Sequence, residues 1–274
     1  MVSLFRGSAT KKLPALCLLL VSAAMCLAAA APVRMEFTID GLKREAAVFY
    51  PTDALRTPRP LVLAFHGHGG SMRTAASSFD FQTRWPEAIV VYLQGLPTPI
   101  RLTDPEGKKP GWQWEAGQYG DRDLAFFDAV LAAMKKTSRV DERRIYAAGH
   151  SNGGIFVYLL WAVRGDVFAA VATSCSMAAT EELQRRLTPK PLFHIAGQKD
   201  PIVDYALQME TISFVRSLNG CGTAVPEWNG SGLCTLYPST NGTPVVTYIH
   251  RGGHVFESEA VPFAVAFLKE HAKP

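Results

Sequence analysis

What this chain lacks narrows its chemistry first. It has no internal repeat, no block of like charges and no Ser/Thr/Pro-rich linker after its opening segment, which argues against a repeat array or a tethered second module. Histidine and cysteine do not cluster at metal-ligand spacing, and the pair His66 and His68 comes without a carboxylate cluster. Neither zinc nor any other metal is expected, and nothing in the sequence calls for a cofactor. Excess charge is missing too. Of a formal +4, Arg6, Lys11 and Lys12 fall before residue 32, where there is no Asp or Glu, so the body is left near +1. A near-neutral body offers no electrostatic reason to bind nucleic acid.

Cysteine is scarce, five in 274 residues. Cys17 and Cys26 belong to the opening segment, leaving Cys175, Cys221 and Cys234. Cys221 and Cys234 flank a loop rich in Gly, Pro and Thr, and the expectation is a disulfide between them with Cys175 as a buried free thiol. Closing such a loop stabilises a fold by about 3 kcal/mol in the chain-entropy model.

The opening segment is present for export. Three basic residues precede the apolar stretch Leu13–Leu27, and the small residues 28–31 offer a cleavage site. The stretch is short for a spanning helix, which takes about 20 residues. Residues 1–31 therefore read as a removed secretory signal, with an uncleaved anchor as the alternative. The mature protein is expected in the periplasm or secreted, without stable membrane association. Residues 32–274 read as a single domain.

That domain starts with a hairpin, Arg34–Ile39 and Arg44–Tyr50 around Asp40-Gly41. Asp-Gly suits a type I′ turn, whose two central residues need positive φ. Short apolar runs then alternate with segments of helical period. The strands are expected at Leu61–Phe65, Ala88–Leu93, Arg144–Gly149, Ala169–Thr173, Pro191–Ala196 and Val245–His250. The helices are expected at Asp121–Lys136, Gly153–Val163, Glu181–Leu187, Tyr205–Leu218 and Val261–His271. Continuous apolar strands imply burial on both faces, hence an α/β fold with a mostly parallel sheet, helices on both faces and an antiparallel hairpin at its start. One stretch, residues 94–120, breaks the rhythm. It carries Trp112 and Trp114, which either pin a long loop to the body or line a substrate site.

Chemistry concentrates at Gly149-His150-Ser151-Asn152-Gly153-Gly154. A strand before it and a helix after it supply the strand–turn–helix setting of a nucleophile elbow, which strains the serine and lifts its hydroxyl above the sheet. A serine hydroxyl needs a base, and the base an orienting acid, here in the order serine, acid, histidine. His254 sits on a loop just past the last strand and is the expected base, with His250 as the second choice. Asp200 follows the strand Pro191–Ala196 at the correct end and is the expected acid; Asp204 reads as a helix cap. His66-Gly67-His68-Gly69-Gly70 follows the first parallel strand, so the backbone N–H groups of His68 and Asn152 are the expected oxyanion hole.

These pieces resemble the secreted poly(3-hydroxybutyrate) depolymerase and feruloyl esterase group of α/β-hydrolases. The resemblance runs over most of the mature chain. It rests on Pro60–Ser71 (PLVLAFHGHGGS), Asp123–Phe127, Val140–Gly154 (VDERRIYAAGHSNGG), Asp166–Val171, Gly197–Tyr205 (GQKDPIVDY) and Gly252-Gly253-His254. It implies an α/β-hydrolase fold and a triad of Ser151, Asp200 and His254. No linker or separate polymer-binding domain is expected beside it, and His68 stands where the group often has a small or apolar residue or cysteine. The segment between Thr173 and Pro191 is too short for a large cap domain, so an open cleft is expected, shaped by the 94–120 loop and by the Cys221–Cys234 loop with Trp228. Trp112, Trp114 and Trp228 are the expected substrate contacts. The resemblance implies a secreted serine esterase acting through an acyl-enzyme on feruloyl or acetyl esters of bulky, polysaccharide-linked alcohols. Hydroxyalkanoate depolymerase is the alternative, with a serine peptidase or a non-catalytic binding protein behind it.

Overall fold

The computed structural model describes residues 31–100 and 103–274; except for Ala31, the expected leader lies outside them. Asp40 and Gly41 take φ of 48° and 78°, the backbone a type I′ turn requires. They join β1 (Val33–Ile39) to β2 (Leu42–Phe49) as an antiparallel hairpin. Then come β3 (Arg59–Phe65), α1 (Met72–Phe79), α2 (Phe81–Arg84) and β4 (Ile89–Leu93). A short ladder of β5 (Leu96–Pro97) and β6 (Pro110–Gly111) precedes α3 (Arg122–Thr137), β7 (Val140–His150) and α4 (Asn152–Arg164). Next are β8 (Ala170–Ser174), α5 (Glu181–Arg186), β9 (Leu192–Gly197) and α6 (Tyr205–Leu218). Last are β10 (Val225–Pro226), β11 (Cys234–Tyr237), β12 (Val245–His250) and α7 (Val261–Lys269).

Among the described residues, ten strands form one sheet in the order β1-β2-β4-β3-β7-β8-β9-β12-β11-β10. The centre, from β4 to β12, is parallel, and both margins are antiparallel. The apolar runs of the sequence divide by parity, as the two-residue strand period demands. In β3, Leu61, Leu63 and Phe65 join a core cluster with Phe126 and Phe127 of α3, Phe156 of α4 and Ile212 of α6. Val62 and Ala64 join the opposite cluster with Met72 of α1, Phe81 of α2 and Val261 of α7. Each run is apolar throughout because both its faces are covered. Neither α1 nor the β10–β11 pair stands out in the sequence. Only Met72, Ala75 and Phe79 of α1 are buried, too few to print a period.

The strand order places the chemistry. From β3 the chain moves outward to β4 and then returns to β7 on the other side of β3. Such a switch in direction opens a crevice at the carboxyl ends of the two strands, where ligands bind in open α/β sheets. Phe65 and Gly149 are paired across β3 and β7, so the 66–70 loop and the Ser151 turn leave the sheet side by side.

Among the described residues the expected disulfide is not formed: Cys175, Cys221 and Cys234 are free thiols there. Cys221 bridges to Ser239, whereas Cys234 begins β11 and pairs with Tyr248. Ser239 and Cys234 are five residues apart on a nearly extended chain, about 16 Å at a strand's rise, well beyond the Cα separation of about 7 Å that a disulfide tolerates. The two side chains also serve different cores, Cys221 packing on one face of the sheet and Cys234 buried in the other.

A buried ion pair supports the crevice from below. Arg44 of β2 and Asp123 of α3 are fully buried, with Nη2 and Oδ1 2.8 Å apart but not aligned as a hydrogen bond. Arg44 also donates to the carbonyls of Arg122 and Gln94 and lies 4.2 Å from the Phe126 ring centroid. Asp123 accepts the amide of Gln113. Asp123→Ala would leave the guanidinium buried without its counter-charge, so a loss of about 3–5 kcal/mol is expected in urea or thermal unfolding. A variant within about 0.5 kcal/mol of the parent would contradict this role.

Candidate active site

Ser151 is held in a conformation few residues accept, with φ 55° and ψ −125°. Its amide donates to the Ser174 carbonyl at 2.8 Å and its carbonyl starts α4 by accepting from Ile155. The turn is tight enough that only glycine fits beside it. A Cβ on Gly153 would stand 2.3 Å from the Phe65 carbonyl oxygen, and one on Gly149 would stand 2.3 Å from that of Gly153. The glycines are there for close approach of backbone to backbone.

The base and the acid arrive from two neighbouring strands. Gly197 at the end of β9 and His250 at the end of β12 are paired, and the loops beyond them stay together through Lys199 N–H to the Gly252 carbonyl. Asp200 and His254 therefore meet by construction. His254 Nε2 lies 2.7 Å from Ser151 Oγ, and His254 Nδ1 lies 2.8 Å from Asp200 Oδ2 and 3.0 Å from Oδ1. The remaining capacity of the carboxylate is filled by the amides of Ile202 and Val203 on Oδ1 and by Gln208 Nε2 on Oδ2. Burial alone would raise the pKa of Asp200; the bonds from His254 and the two amides outweigh it and hold the pKa below the ordinary value. A carboxylate kept ionised beside Nδ1 favours the imidazole tautomer whose Nε2 is free to take a proton. His250, the second choice for base, is buried and turned elsewhere: its Nδ1 accepts from the Gly252 amide. Asp204 caps α6 by accepting from Ala206, as the sequence suggested.

His68 and Asn152 both border the cavity that Ser151 opens into. They converge on Gly111, where an added Cβ would touch Asn152 Oδ1 and His68 Cδ2 at 2.9 Å. Their side chains are engaged with a neighbouring loop. Asn152 Oδ1 accepts from the Trp112 amide at 2.7 Å while Nδ2 donates to the Trp112 carbonyl at 2.9 Å. The His68 ring bonds the Thr98 carbonyl at 3.1 Å. Together with the Gly69 amide on the Pro110 carbonyl, these bonds sew the 94–120 segment onto the site. The clamp role of the Asn152 side chain leaves no trace in the sequence, since it depends on a loop forty residues away.

The three tryptophans separate. Trp112 is completely buried, donates to the His66 carbonyl at 2.9 Å and packs on Phe65 and Phe156; it pins the loop and has no surface left for a ligand. Trp228 packs against Phe193 and Phe267 in the core cluster on the other side of the sheet, and neither it nor the 221–234 loop borders the cavity. Trp114 does border it. The cavity measures about 640 Å³ and is walled by Ile100, Trp114, Ile155, Met177, Ile202 and Val203, with Ser151 and His254 at its base. Between β8 and β9 only the short helix α5 intervenes.

The donor atoms of Cys175, Asp200 and His254 all lie within 4.8 Å of one another. Two of them are already bonded together, and burial pushes the Cys175 thiol up to about 12, so it stays protonated and neutral at ordinary pH. Other histidines near the site are scaffold. His66 bonds the Gly67 carbonyl through Nδ1 and accepts the Gly95 amide on Nε2. Burial pushes it down to about 4, His194 to about 4 and His150 to about 3, the last helped by its neighbour His254. All three are neutral when folded but charge near pH 6.5 once unfolded. The unfolded chain thus gains protons that the folded one refuses, and stability declines as pH falls from about 6.5 towards 4. The midpoint of thermal unfolding should drop across that window; a constant Tm from pH 7 to pH 4 would contradict it.

Comparison with known proteins agrees with this architecture. The acetyl xylan esterase from Aspergillus awamori superimposes with a TM-score of 0.61 at 12% identity, covering 86% of this chain and 99% of that one. Its fold is shared over nearly its whole length. The chain has an α/β-hydrolase-like fold. The model of the prolyl oligopeptidase family matches residues 102–183. Feruloyl esterase D of Neurospora crassa is 27% identical over 263 residues, 86% of this chain and 87% of that protein. A bifunctional acetylxylan esterase/xylanase of Neocallimastix patriciarum is 27% identical over 167 residues, 60% of this chain. This chain spans only 22% of that protein's length.

Proposed function

We propose that the chain is a serine carboxylic ester hydrolase, exported by its leader, that acts through an acyl-enzyme on feruloyl- or acetyl-type esters of bulky alcohols. The observation that carries this reading is the chain of contacts Ser151–His254–Asp200, 2.7 and 2.8 Å long, at the base of an apolar cavity. Ser151 Oγ attacks the ester carbonyl while its proton passes to His254 Nε2. The amides of His68 and Asn152 hold the oxyanion. Collapse breaks the bond to the alcohol oxygen, which takes the proton from His254. Water then attacks the acyl-enzyme by the same steps and frees the acid.

The esterase relatives support an ester as substrate. The cavity favours an aromatic acyl group over acetyl, because about 640 Å³ walled by Trp114 and aliphatic side chains is in the range that takes a whole drug-sized molecule. Turnover of methyl ferulate, p-nitrophenyl acetate and hydroxybutyrate oligomers ranks the substrates. Methyl ferulate should lead. A lead for the oligomers would favour the depolymerase reading, and amide analogues cleaved as fast as esters would favour a peptidase. Failure on every ester would end the proposal.

A further inference from the structure

We propose that Gln208 and His194 are positioning residues for the Asp200–His254 pair, forming a buried relay that runs from the middle of the sheet to the back of the acid. This rests on the ester hydrolase reading. Both side chains are fully buried, Gln208 in the first turn of α6 and His194 within β9. Polar groups placed so deep cost stability unless they are paired.

The atoms that face one another set the direction of every bond. Gln208 Nε2 lies 3.1 Å from Asp200 Oδ2 and 2.8 Å from the Val203 carbonyl. Two oxygens around one atom require it to be the NH2 group, which fixes the amide against a flip. Its Oε1 is buried without an aligned partner among the described residues, and so is His194 Nε2. The two side chains act on each other: Gln208 favours the protonated ring while burial opposes it. Pairing Nε2–H with Oε1 satisfies both atoms at once. The other ring nitrogen, Nδ1, lies 2.9 Å from Thr173 Oγ1 and 3.1 Å from the Tyr158 hydroxyl. An amide oxygen only accepts, so His194 carries its proton on Nε2 and accepts from the hydroxyls on Nδ1. His194 then donates to Gln208, and Gln208 donates to Asp200. The oxygen it reaches, Oδ2, is the one 2.8 Å from His254 Nδ1. Backbone amides hold Oδ1, whereas Oδ2 depends on Gln208 for its place. A displaced Gln208 therefore displaces the imidazole that must meet Ser151.

Three single variants and one double variant test the relay. Gln208→Met keeps the length of the side chain and removes both polar groups. His194→Leu fills the space of the ring without a donor, whereas His194→Gln returns an NH2 group to the position of Nε2. Gln208→Met should lower kcat on p-nitrophenyl acetate about tenfold or more, with KM within about twofold, because small misplacements of reacting groups are costly. His194→Leu should lower kcat in the same way, and His194→Gln should restore it to within about threefold of the parent. A merely structural role predicts the reverse order, since an added amide disturbs an apolar core more than leucine does. The double variant Gln208→Met/His194→Leu should be no slower than Gln208→Met alone, because His194 acts only through the glutamine. Independently of turnover, the NMR resonance of the proton on His254 Nδ1 should move in Gln208→Met and in His194→Leu and return in His194→Gln. A folded Gln208→Met with parental kcat and an unmoved resonance would overturn the relay, as would multiplied losses in the double variant or equal behaviour of the two His194 variants. If a His194 variant does not fold, Gln208→Met and the resonance decide. If the parent protein turns over no ester, the hydrolase reading has failed, and the resonance still tests the relay.

Discussion

Ser151→Ala is expected to lower kcat on methyl ferulate by about six orders of magnitude, with little change in KM. The loss is so large because, in the proposed mechanism, the three residues work as one device. Without Oγ, His254 has no proton to take at 2.7 Å, and no covalent intermediate divides the reaction. The residual rate comes from binding and the oxyanion amides, about 10³–10⁴ above the uncatalysed reaction. KM survives because the walls of the cavity, Trp114, Ile155 and Met177 among them, do not move. Alanine adopts the same strained turn at residue 151, so the variant's Tm should stay within a few degrees of the parent's. Steady-state kinetics with a folded variant that keeps a tenth of its activity would contradict the role assigned to the serine.

The second large effect is at Asp200. Asp200→Asn should lower kcat about 10⁴-fold, although it replaces one oxygen by an isosteric nitrogen. Four donors face the carboxylate: the amides of Ile202 and Val203, Gln208 Nε2 and His254 Nδ1. An asparagine can satisfy the two amides only by directing its own NH2 group toward Gln208 and His254. The imidazole then accepts on Nδ1 and carries its proton on Nε2, the nitrogen that must be empty to receive the serine proton. Steady-state assays at pH 7 measure the loss, and NMR of the ring nitrogens would report the tautomer directly. A loss below about tenfold would mean that the carboxylate neither orients nor stabilises the imidazole.

How much of this was legible beforehand depended on how local each signal was. The nucleophile turn is written in six consecutive residues, because its geometry needs glycines at 149 and 153 whatever the rest of the fold does. Asp200 and His254 could be found because each follows directly on an apolar strand, and strand ends are where this kind of sheet puts its chemistry. Strand and helix positions read well where a run was long and apolar: Val245–His250 and Tyr205–Leu218 match residue for residue. α1 stayed hidden for the converse reason, with few buried residues and a capping box, Ser71 with Thr74, in place of a period.

The signals that misled were those needing distance in space. Cys221 and Cys234 are close in sequence and flank a turn-rich loop, yet strand β11 separates them and turns their side chains to opposite faces. Trp112 and Trp114 are two residues apart, and sequence gave no ground to tell them apart. The fold sends the first into the core beneath His66 and the second to the cavity wall. Trp228, in the loop between the cysteines, fails for the same reason as they do. Arg44 and Asp123, seventy-nine positions apart, carry no mark of pairing either, although the loop that closes the site rests on them.

The central claim, that Ser151 is the activated nucleophile of an esterase, has a direct test. The protein is incubated with a fluorophosphonate at neutral pH, and intact and peptide mass spectrometry locate the adduct. One phosphonyl group on Ser151 in the parent protein, absent from Ser151→Ala and strongly slowed in His254→Ala, is the expected result. A folded parent protein that takes up no label, or takes it up on another residue, would contradict the account.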